Sequence, residues 1–311
     1  FTIDWRTEVL GAPPPGRNVR LTIDLSLQRV ADTALGTHTG AVVLLDAQGG
    51  EVLVLASHPT FDANALDDHW AAVVNDPASP LLNRATLALY QPGGVIEPVV
   101  VAGALAAGLT TPSQNFIDAD QPVMVDGQAL ACRAQTPGSN LALGSALALG
   151  CPAPAAALAQ SLGAAGLTRL FSEFQFFVAP ALAIPATASN VDQVGVFTDT
   201  ALAGIGQAGL TVTPLQMALV TAALVRGGQM PAPQLVLQTQ NADGGWSGTP
   251  PQAPQPPVID PAVADQVKSM LPTGLQATAL SSRGGKSLSW YLGLNPYDNT
   301  KYVVVVLLED G

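Results

Sequence analysis

The distribution of lysine limits the covalent chemistry that this chain can perform. The 311-residue sequence contains only Lys268, Lys286 and Lys301. A serine three positions before a lysine puts a hydroxyl and its activating amine on one helix face. The residues three positions before these lysines are Asp265, Arg283 and Asp298. The chain therefore has no Ser-x-x-Lys pair, and it also lacks a Gly-x-Ser-x-Gly elbow and a phosphate-binding glycine loop.

Histidine does not indicate a metal site either. His38 precedes the first predicted strand, His58 follows the second, and His69 precedes Trp70. None of them is spaced from another as zinc ligands are, and the chain has too few cysteines to complete a site. We therefore predict solvated loop histidines, and neither a metal nor another cofactor.

The two cysteines, Cys132 and Cys151, exclude zinc modules and disulfide-dense scaffolds. A bridge between them would suggest an oxidising compartment, while two free buried thiols explain the sequence equally well. A nucleophilic Cys151 is disfavoured, because no His, Lys or Arg lies near it in sequence to stabilise a thiolate.

Composition excludes several partners. The net charge is −11 and the sequence pI is near 4.4, so the chain has no basic stripe for nucleic acid or an anionic lipid surface. Mean hydropathy is +0.32, but the charge-free stretch 141–168 is broken by glycines and prolines, so no membrane-spanning helix is expected. Because the chain begins at Phe1 without a signal peptide, we expect it to be a piece of a longer protein.

Two apolar hairpins must position any site. Residues 41–45 and 51–56 flank an Asp/Gly turn, and residues 289–294 and 302–307 flank a second turn. Both strands of the first hairpin are apolar throughout, which predicts a sheet covered on both faces. Helical spacing ends at Gly36, and the segment between the hairpins is mostly helical. These patterns predict an α+β sandwich whose antiparallel sheet is built from the two chain ends.

Two further segments have clear local signatures. Thr213 and Gln216 form a predicted capping box, with Pro214 at the first helical position and Gly227 and Gly228 ending the helix. The segment 249–257 holds five prolines and no charge, which predicts an extended surface connection within the domain.

Several segments, in order, resemble the transpeptidase domain of penicillin-binding proteins of the monofunctional class B type. They are Leu-Thr-Ile-Asp at 21–24, the hairpin and its continuation at 40–62, Asn-Arg-Ala at 83–85, Gly-Ile-Gly-Gln at 204–207, Thr-Pro-Leu-Gln-Met-Ala at 213–218 and the terminal hairpin. The resemblance implies a sheet of about five strands between helical layers. It also implies a transpeptidase-like domain over residues 19–311, preceded at 1–18 by a linker or the remnant of another region.

The same resemblance locates the family's three catalytic motifs, and each is altered. The family's nucleophilic serine falls on Gly94 and its lysine on Glu97, within Tyr-Gln-Pro-Gly-Gly-Val-Ile-Glu-Pro at 90–98. Its Ser-x-Asn motif runs from Gly150 to Pro152. Its Lys-Thr-Gly-Thr strand falls on Leu275, Gln276, Ala277 and Thr278, of which only the threonine is retained.

These substitutions remove what acyl transfer needs. Gly94 supplies no nucleophile, and no Ser, Thr or Cys lies between Thr86 and Thr110. Glu97 is expected to reverse the local charge and to disfavour a carboxylate-bearing peptide or β-lactam. Pro152 removes an amide that would orient substrate, and Leu275 removes the cation expected to hold a terminal carboxylate. Intact catalytic residues are therefore not expected.

The resemblance implies a role in the bacterial cell envelope. We expect an inactive domain that binds or scaffolds in peptidoglycan synthesis or cell division, at the extracytoplasmic face of the cytoplasmic membrane. Its expected partners are envelope proteins of those processes and peptidoglycan fragments, and the parent protein is expected to carry one N-terminal transmembrane helix. Two alternatives stay open, namely a non-covalent binder of muropeptides or β-lactams and a D,D-transpeptidase with substituted site residues.

Overall fold

The computed structural model describes residues 16–190, 197–250, 255–280 and 287–309. Its strands are β1 (Val19–Leu21), β2 (Gly40–Asp46), β3 (Val52–His58), β4 (Asn115–Phe116), β5 (Val123–Val125), β6 (Gln128–Leu130), β7 (Leu141–Ala142), β8 (Val236–Gln240), β9 (Trp246–Gly248), β10 (Gly274–Leu280), β11 (Ser287–Asn295) and β12 (Tyr302–Leu308). Its helices are α1 (Leu25–Leu35), α2 (Leu66–Val74), α3 (Glu97–Ala106), α4 (Leu143–Ala148), α5 (Pro152–Glu173), α6 (Thr200–Gly204), α7 (Pro214–Val225) and α8 (Pro261–Met270).

The central sheet is antiparallel and has the strand order β10-β11-β12-β2-β3. The two chain ends meet because β12 pairs with β2, which places Val305 opposite Val43. The prediction of a five-stranded sheet built from the terminal hairpins is thus confirmed. The fifth strand, β10, carries the positions assigned to the Lys-Thr-Gly-Thr motif and lies at the sheet edge.

The two faces of the sheet are covered to different degrees. On one face Val303, Val305 and Leu307 are fully buried in the main core, which includes α7. On the other face α1 packs against β2 and β3, while Val306 and Leu308 of β12 stay half-buried. The prediction of cover on both faces is confirmed for the first hairpin, but part of β11 and β12 remains open on the second face.

The helix ends follow the predicted signals. Thr213 Oγ1 accepts the Gln216 backbone N–H at 3.1 Å, and Thr213 N–H donates to Gln216 Oε1 at 3.1 Å, so both halves of the capping box form at the start of α7. Helix α1 ends at Gly36 as predicted. Its apolar positions do not all face the core, because Val30 is 66% exposed while Leu35 is buried.

The expectation of solvated loop histidines is wrong for His58. Strand β3 extends as far as His58, whose side chain is buried. Its Nδ1 lies 3.2 Å from the Gly36 carbonyl and its Nε2 lies 3.3 Å from Asp32 Oδ1. Burial beside α1 therefore gives this imidazole two polar partners. His38 and His69 have exposed side chains, but His69 lies on helix α2 and not in a loop, so the prediction is also wrong about its location.

Some expectations fall partly or wholly outside the described residues. These are the linker at 1–18 apart from 16–18, and the middle of the proline-rich segment, whose residues 249–250 and 255–257 are exposed and belong to no helix or strand. Lys286 also lies outside the described residues. Within the described ranges, no helix has the length and apolar character needed to cross a bilayer. The same ranges contain no cluster of side chains suited to a metal ion.

Candidate functional site

A cavity of about 460 Å³ lies where the edge strand β10 meets the starts of α3 and α5. All the positions assigned to the three family motifs line it. They are Gly94, Glu97, Gly150, Pro152, Leu275, Gln276, Ala277 and Thr278. The fold therefore brings together three segments that lie far apart in the sequence. Val95 and Ile96 are buried in the core and do not fill the cavity.

A tight turn seats Gly94 against the edge strand. Residues Gly93–Ile96 form one 3-10 turn that continues into α3. Gly93 has φ +57° and donates its N–H to the Gly206 carbonyl at 3.0 Å. A Cβ at Gly93 would lie 2.6 Å from the Thr278 carbonyl oxygen, so only glycine lets the turn approach β10 this closely.

Gln207 joins three walls of the cavity. Its Nε2 donates to the Thr278 carbonyl at 3.1 Å, and its Oε1 accepts the Leu280 N–H at 2.9 Å. Gln91 Nε2 donates to the Gln207 carbonyl at 3.0 Å. Gln207 ends the Gly-Ile-Gly-Gln segment that resembles the family, but the sequence alone does not predict its role. Its place in that segment was the available signal.

The segment before Gly94 is anchored to the far end of β12. Tyr90 Oη donates to Glu309 Oε1 at 2.6 Å, and Arg84 Nε donates to the same oxygen at 2.9 Å. Trp290 Nε1 donates to the Gln91 carbonyl at 3.0 Å, and its ring meets that of Tyr90 edge to face. Trp290 on β11 and the half-buried Glu309, which directly follows β12, thus fix the chain leading to Gly94.

A disulfide joins Cys132 to Cys151 beside the second motif position. The backbone supports the same contact, because the Arg133 N–H donates to the Gly150 carbonyl at 3.2 Å. Arg133 therefore reaches the cavity rim, with Nη2 donating to the Ala148 carbonyl at 3.2 Å. Arg133 was not predicted as a site residue, and its position next to Cys132 was the only signal in the sequence. With Cys151 in a disulfide, it offers no free thiol to the cavity.

The other substituted positions have structural roles. Pro152 is the first residue of α5, where a missing N–H costs nothing because that group has no partner within the helix. Leu275 is 4% exposed and belongs to the main core. Gln276 and Thr278 alternate with it along β10 and are exposed. The resemblance assigns Leu275 to the lysine of the Lys-Thr-Gly-Thr strand, and a core side chain occupies that position here.

The Glu97 carboxyl group is buried and faces Gly94. Glu97 is 4% exposed, and a Cβ built on Gly94 would lie 3.1 Å from Glu97 Oε1. No hydrogen bond to this carboxyl group forms among the described residues. Burial raises its pKa to about 8. The expectation that Glu97 reverses the local charge is therefore wrong near pH 7, where the carboxyl group is mostly neutral.

The cavity lining contains few groups that can ionise. They are Glu97, Arg133 and Tyr291, and the lining holds neither lysine nor histidine among the described residues. Thr278 and Ser289 supply hydroxyl groups from neighbouring strands. Activating a hydroxyl needs an adjacent base or a lowered pKa. The arrangement can hold a ligand, but it lacks the usual partners of a serine or threonine nucleophile.

Comparison with known sequences agrees with this geometry. The penicillin binding protein transpeptidase domain profile matches residues 40–311. Peptidoglycan D,D-transpeptidase PbpA of Mycolicibacterium smegmatis is 28% identical over an alignment of 341 positions, gaps included, that covers 97% of this chain and 69% of that protein. Peptidoglycan D,D-transpeptidase MrdA of Haemophilus influenzae is 28% identical over an alignment of 352 positions that covers 95% of this chain and 54% of that protein.

Solved structures have the same fold. The ceftriaxone acyl-enzyme complex of penicillin-binding protein A from Mycobacterium tuberculosis superposes with a TM-score of 0.84 at 26% identity, covering 98% of this chain and 77% of that one. Penicillin-binding protein 2 of Helicobacter pylori, solved with MreC, gives a TM-score of 0.76 at 21% identity, covering 94% of this chain and 60% of that one. The chain belongs to the penicillin-binding protein transpeptidase domain family.

Proposed function

We propose that this domain keeps the transpeptidase fold and its cavity but does not catalyse acyl transfer. It acts instead by binding or scaffolding within peptidoglycan synthesis or cell division. The observation that carries the proposal is the pair Gly94 and Glu97. The position that resemblance assigns to the nucleophile has no side chain, and the group facing it is a buried carboxyl.

The remaining hydroxyl groups do not replace the missing nucleophile. Thr278 and Ser289 lie opposite each other on β10 and β11, not at the start of α3. No lysine or histidine lines the described cavity to take a proton from either hydroxyl. Loss of a nucleophile or base lowers the rate of covalent catalysis by orders of magnitude on its own.

The proposed location is the extracytoplasmic face of the bacterial cytoplasmic membrane. The Cys132–Cys151 disulfide supports this, because such bonds persist in oxidising compartments. The proposed partners are cell-envelope proteins of peptidoglycan synthesis or division. We further propose that the parent protein has one N-terminal transmembrane helix, since the two relatives described above are longer than this chain.

Covalent labelling by a fluorescent penicillin tests the proposal. The protein is incubated with the probe, denatured and separated on a gel beside its relative penicillin-binding protein A from Mycobacterium tuberculosis, which has been solved as a penicillin G acyl-enzyme and serves as the positive control. We expect a labelled band for the relative and none for this protein. A band from this protein that survives denaturation, and that an excess of unlabelled penicillin removes, would contradict the proposal.

A second candidate function is non-covalent capture of muropeptides. The open cavity of about 460 Å³ favours it, because substituted side chains have not filled the site. A ligand present at 100 times its dissociation constant stabilises the folded state by about 2.7 kcal/mol. Thermal denaturation with purified muropeptides should then show a higher melting temperature, and an unchanged melting temperature would remove this candidate.

A further inference from the structure

The Glu97 carboxyl is a polar group without a polar partner. It is more than nine-tenths buried, lines the cavity and accepts no hydrogen bond from any described residue. Its oxygens are not among the fully enclosed unpaired side-chain atoms of the described residues, so they remain accessible from the cavity. A carboxyl group held in this state inside an open cavity points to a partner that arrives from outside the chain.

The space for that partner lies beside Gly94. A side chain at residue 94 would begin 3.1 Å from Glu97 Oε1 and 3.3 Å from Ala277 Cβ. Because residue 94 has no side chain, this volume stays open in front of the carboxyl group. The two substitutions are therefore spatially complementary, since the missing side chain leaves room next to the carboxyl group that replaced a lysine.

The surrounding wall is mainly apolar. Ile205 and Trp290 are almost fully buried, and Leu130 lines the same cavity half-buried. Arg133 is exposed at the rim, and Tyr291 on β11 is the other ionisable group in the lining. Around the carboxyl group, the described parts of β10 and β12 and residues 205–207 contribute no charged side chain to the lining. The site thus combines one deep carboxyl group with apolar walls.

We propose that this cavity binds a primary ammonium group carried on an apolar chain, with the ammonium paired to the Glu97 carboxylate and the chain lying on the apolar walls. The inference rests on the proposed function and gives the chemistry of the ligand that the inactive site would hold. An ammonium group has three hydrogen-bond donors and a positive charge, and the Glu97 carboxylate has neither a donor nor a cation as a partner among the described residues. The net charge of −11 also favours approach of a cation.

Binding of such a cation is coupled to release of one proton. The empty site holds Glu97 mostly protonated near pH 7, whereas the bound ammonium requires the ionised form. Only the fraction of the protein with ionised Glu97 can bind the ammonium group. The apparent affinity for the ammonium ligand therefore rises with pH until Glu97 is fully ionised. A ligand that instead presented a carboxylate to protonated Glu97 would bind more weakly as pH rises. The direction of the pH dependence therefore distinguishes the two ligand chemistries.

Calorimetric titration with n-butylammonium tests the inference, with n-butyramide and n-butyrate as ligands of matched length. We expect saturable binding of butylammonium in the millimolar range, and weaker or undetectable binding of the other two. With a Glu97 pKa of about 8, the affinity for butylammonium should rise about fifty-fold between pH 6 and pH 8 and then level off. Titrations in buffers of different ionisation enthalpy should show proton release.

Two variants control for charge and folding. Glu97→Gln keeps the size and burial of the side chain but not its ionisation, and should weaken butylammonium binding at least tenfold at pH 8. Glu173→Gln removes the same charge from an exposed position on α5 and should leave binding unchanged. Circular dichroism of both variants verifies that they are folded.

The outcomes separate the inference from the proposed function. Absence of butylammonium binding, equal binding of butyramide, or binding that survives Glu97→Gln would overturn the inference. None of these results would produce labelling by penicillin, so the proposed lack of acyl transfer would stand. Conversely, a penicillin adduct would overturn the proposed function whatever the amine titration shows.

Discussion

At the scale of single residues, the altered site is defined by the relation between Gly94 and Glu97. A side chain at 94 would begin 3.1 Å from Glu97 Oε1 and press on the carboxyl group, whereas glycine leaves that volume open. Gly94 and Glu97 together therefore present an open volume next to a mostly neutral acid. This relation makes two variants informative.

Replacing Glu97 by Gln should change how stability depends on pH. The folded protein holds a proton on Glu97 up to about pH 8, while the unfolded chain loses it near the ordinary value of 4.5. The folded state therefore binds more protons, so its stability falls as pH rises between these values, by up to about 1.4 kcal/mol per pH unit. Urea denaturation from pH 5 to pH 8 should show this fall in the wild type and a smaller one in Glu97→Gln. The same dependence of unfolding free energy on pH in both proteins would contradict a raised pKa for Glu97.

Replacing Gly94 by Ser should not create an acylating enzyme. The new Cβ would lie 3.1 Å from Glu97 Oε1, and overpacking of this kind costs about 1–3 kcal/mol of stability. The added hydroxyl would face a carboxyl group that is mostly protonated near pH 7 and is therefore a poor base. Urea denaturation and penicillin labelling measure the two effects, and efficient labelling would show that position 94 alone limits activity.

The sequence located these residues but did not reveal their state. Resemblance assigned Gly94, Glu97 and the other motif positions, and the fold places them around one cavity. It assigned Glu97 a negative charge, because an isolated glutamate is ionised at neutral pH. Burial reverses that expectation, and burial depends on packing between α3, β10 and the 205–207 segment. Arg133 was missed for the same reason, since a tertiary contact brings it to the rim.

At the scale of elements, the disulfide holds one wall of the cavity. Cys132 and Cys151 join the segment before Arg133 to the start of α5, next to Gly150 and Pro152. A loop of this length restricts the unfolded chain, so the bond is expected to contribute about 3 kcal/mol. Cys132→Ser/Cys151→Ser should lose roughly that amount in urea denaturation. As the matching control, reductant should lower the unfolding free energy of the wild type by the same amount. Reductant should not change the stability of the double variant. Wild-type stability that neither the double substitution nor the reductant lowers would contradict this role.

Predictability differed between kinds of element. The hairpins β2–β3 and β11–β12 and helix α7 follow from apolar runs, turn residues and a capping box, which are local signals. The short pairings of β4 with β7 and of β5 with β6 have two or three residues per strand and were not predicted. The β4–β7 pairing joins residues about 25 positions apart, so local sequence patterns carry little information about it. The β5–β6 pairing is a local hairpin whose turn, Asp126-Gly127, has positive φ at both residues, and this Asp-Gly turn was a signal available in the sequence.

At the scale of the whole molecule, the structure retains the family's fold around the cavity. The core beneath the central sheet is continuous and includes Leu275, which the resemblance assigns to the lysine of the Lys-Thr-Gly-Thr strand. Glycines at 93 and 206 allow the close approach of the turn to β10 and to residues 205–207. Under the proposed function, the substitutions remove catalytic groups and leave the surrounding architecture in place, as we expect of a domain that acts by binding.

Intact-protein mass spectrometry after incubation with penicillin G and with a D-alanyl-D-alanine stem peptide tests the central claim most directly. It detects an acyl group on any residue, including a relocated nucleophile such as Thr278 or Ser289. We predict only the unmodified mass at every time point, while penicillin-binding protein A from Mycobacterium tuberculosis, which has been solved as a penicillin G acyl-enzyme, acquires the penicilloyl adduct in parallel. A time-dependent adduct on this protein, of the mass of the opened β-lactam or of the acyl peptide, would contradict the claim.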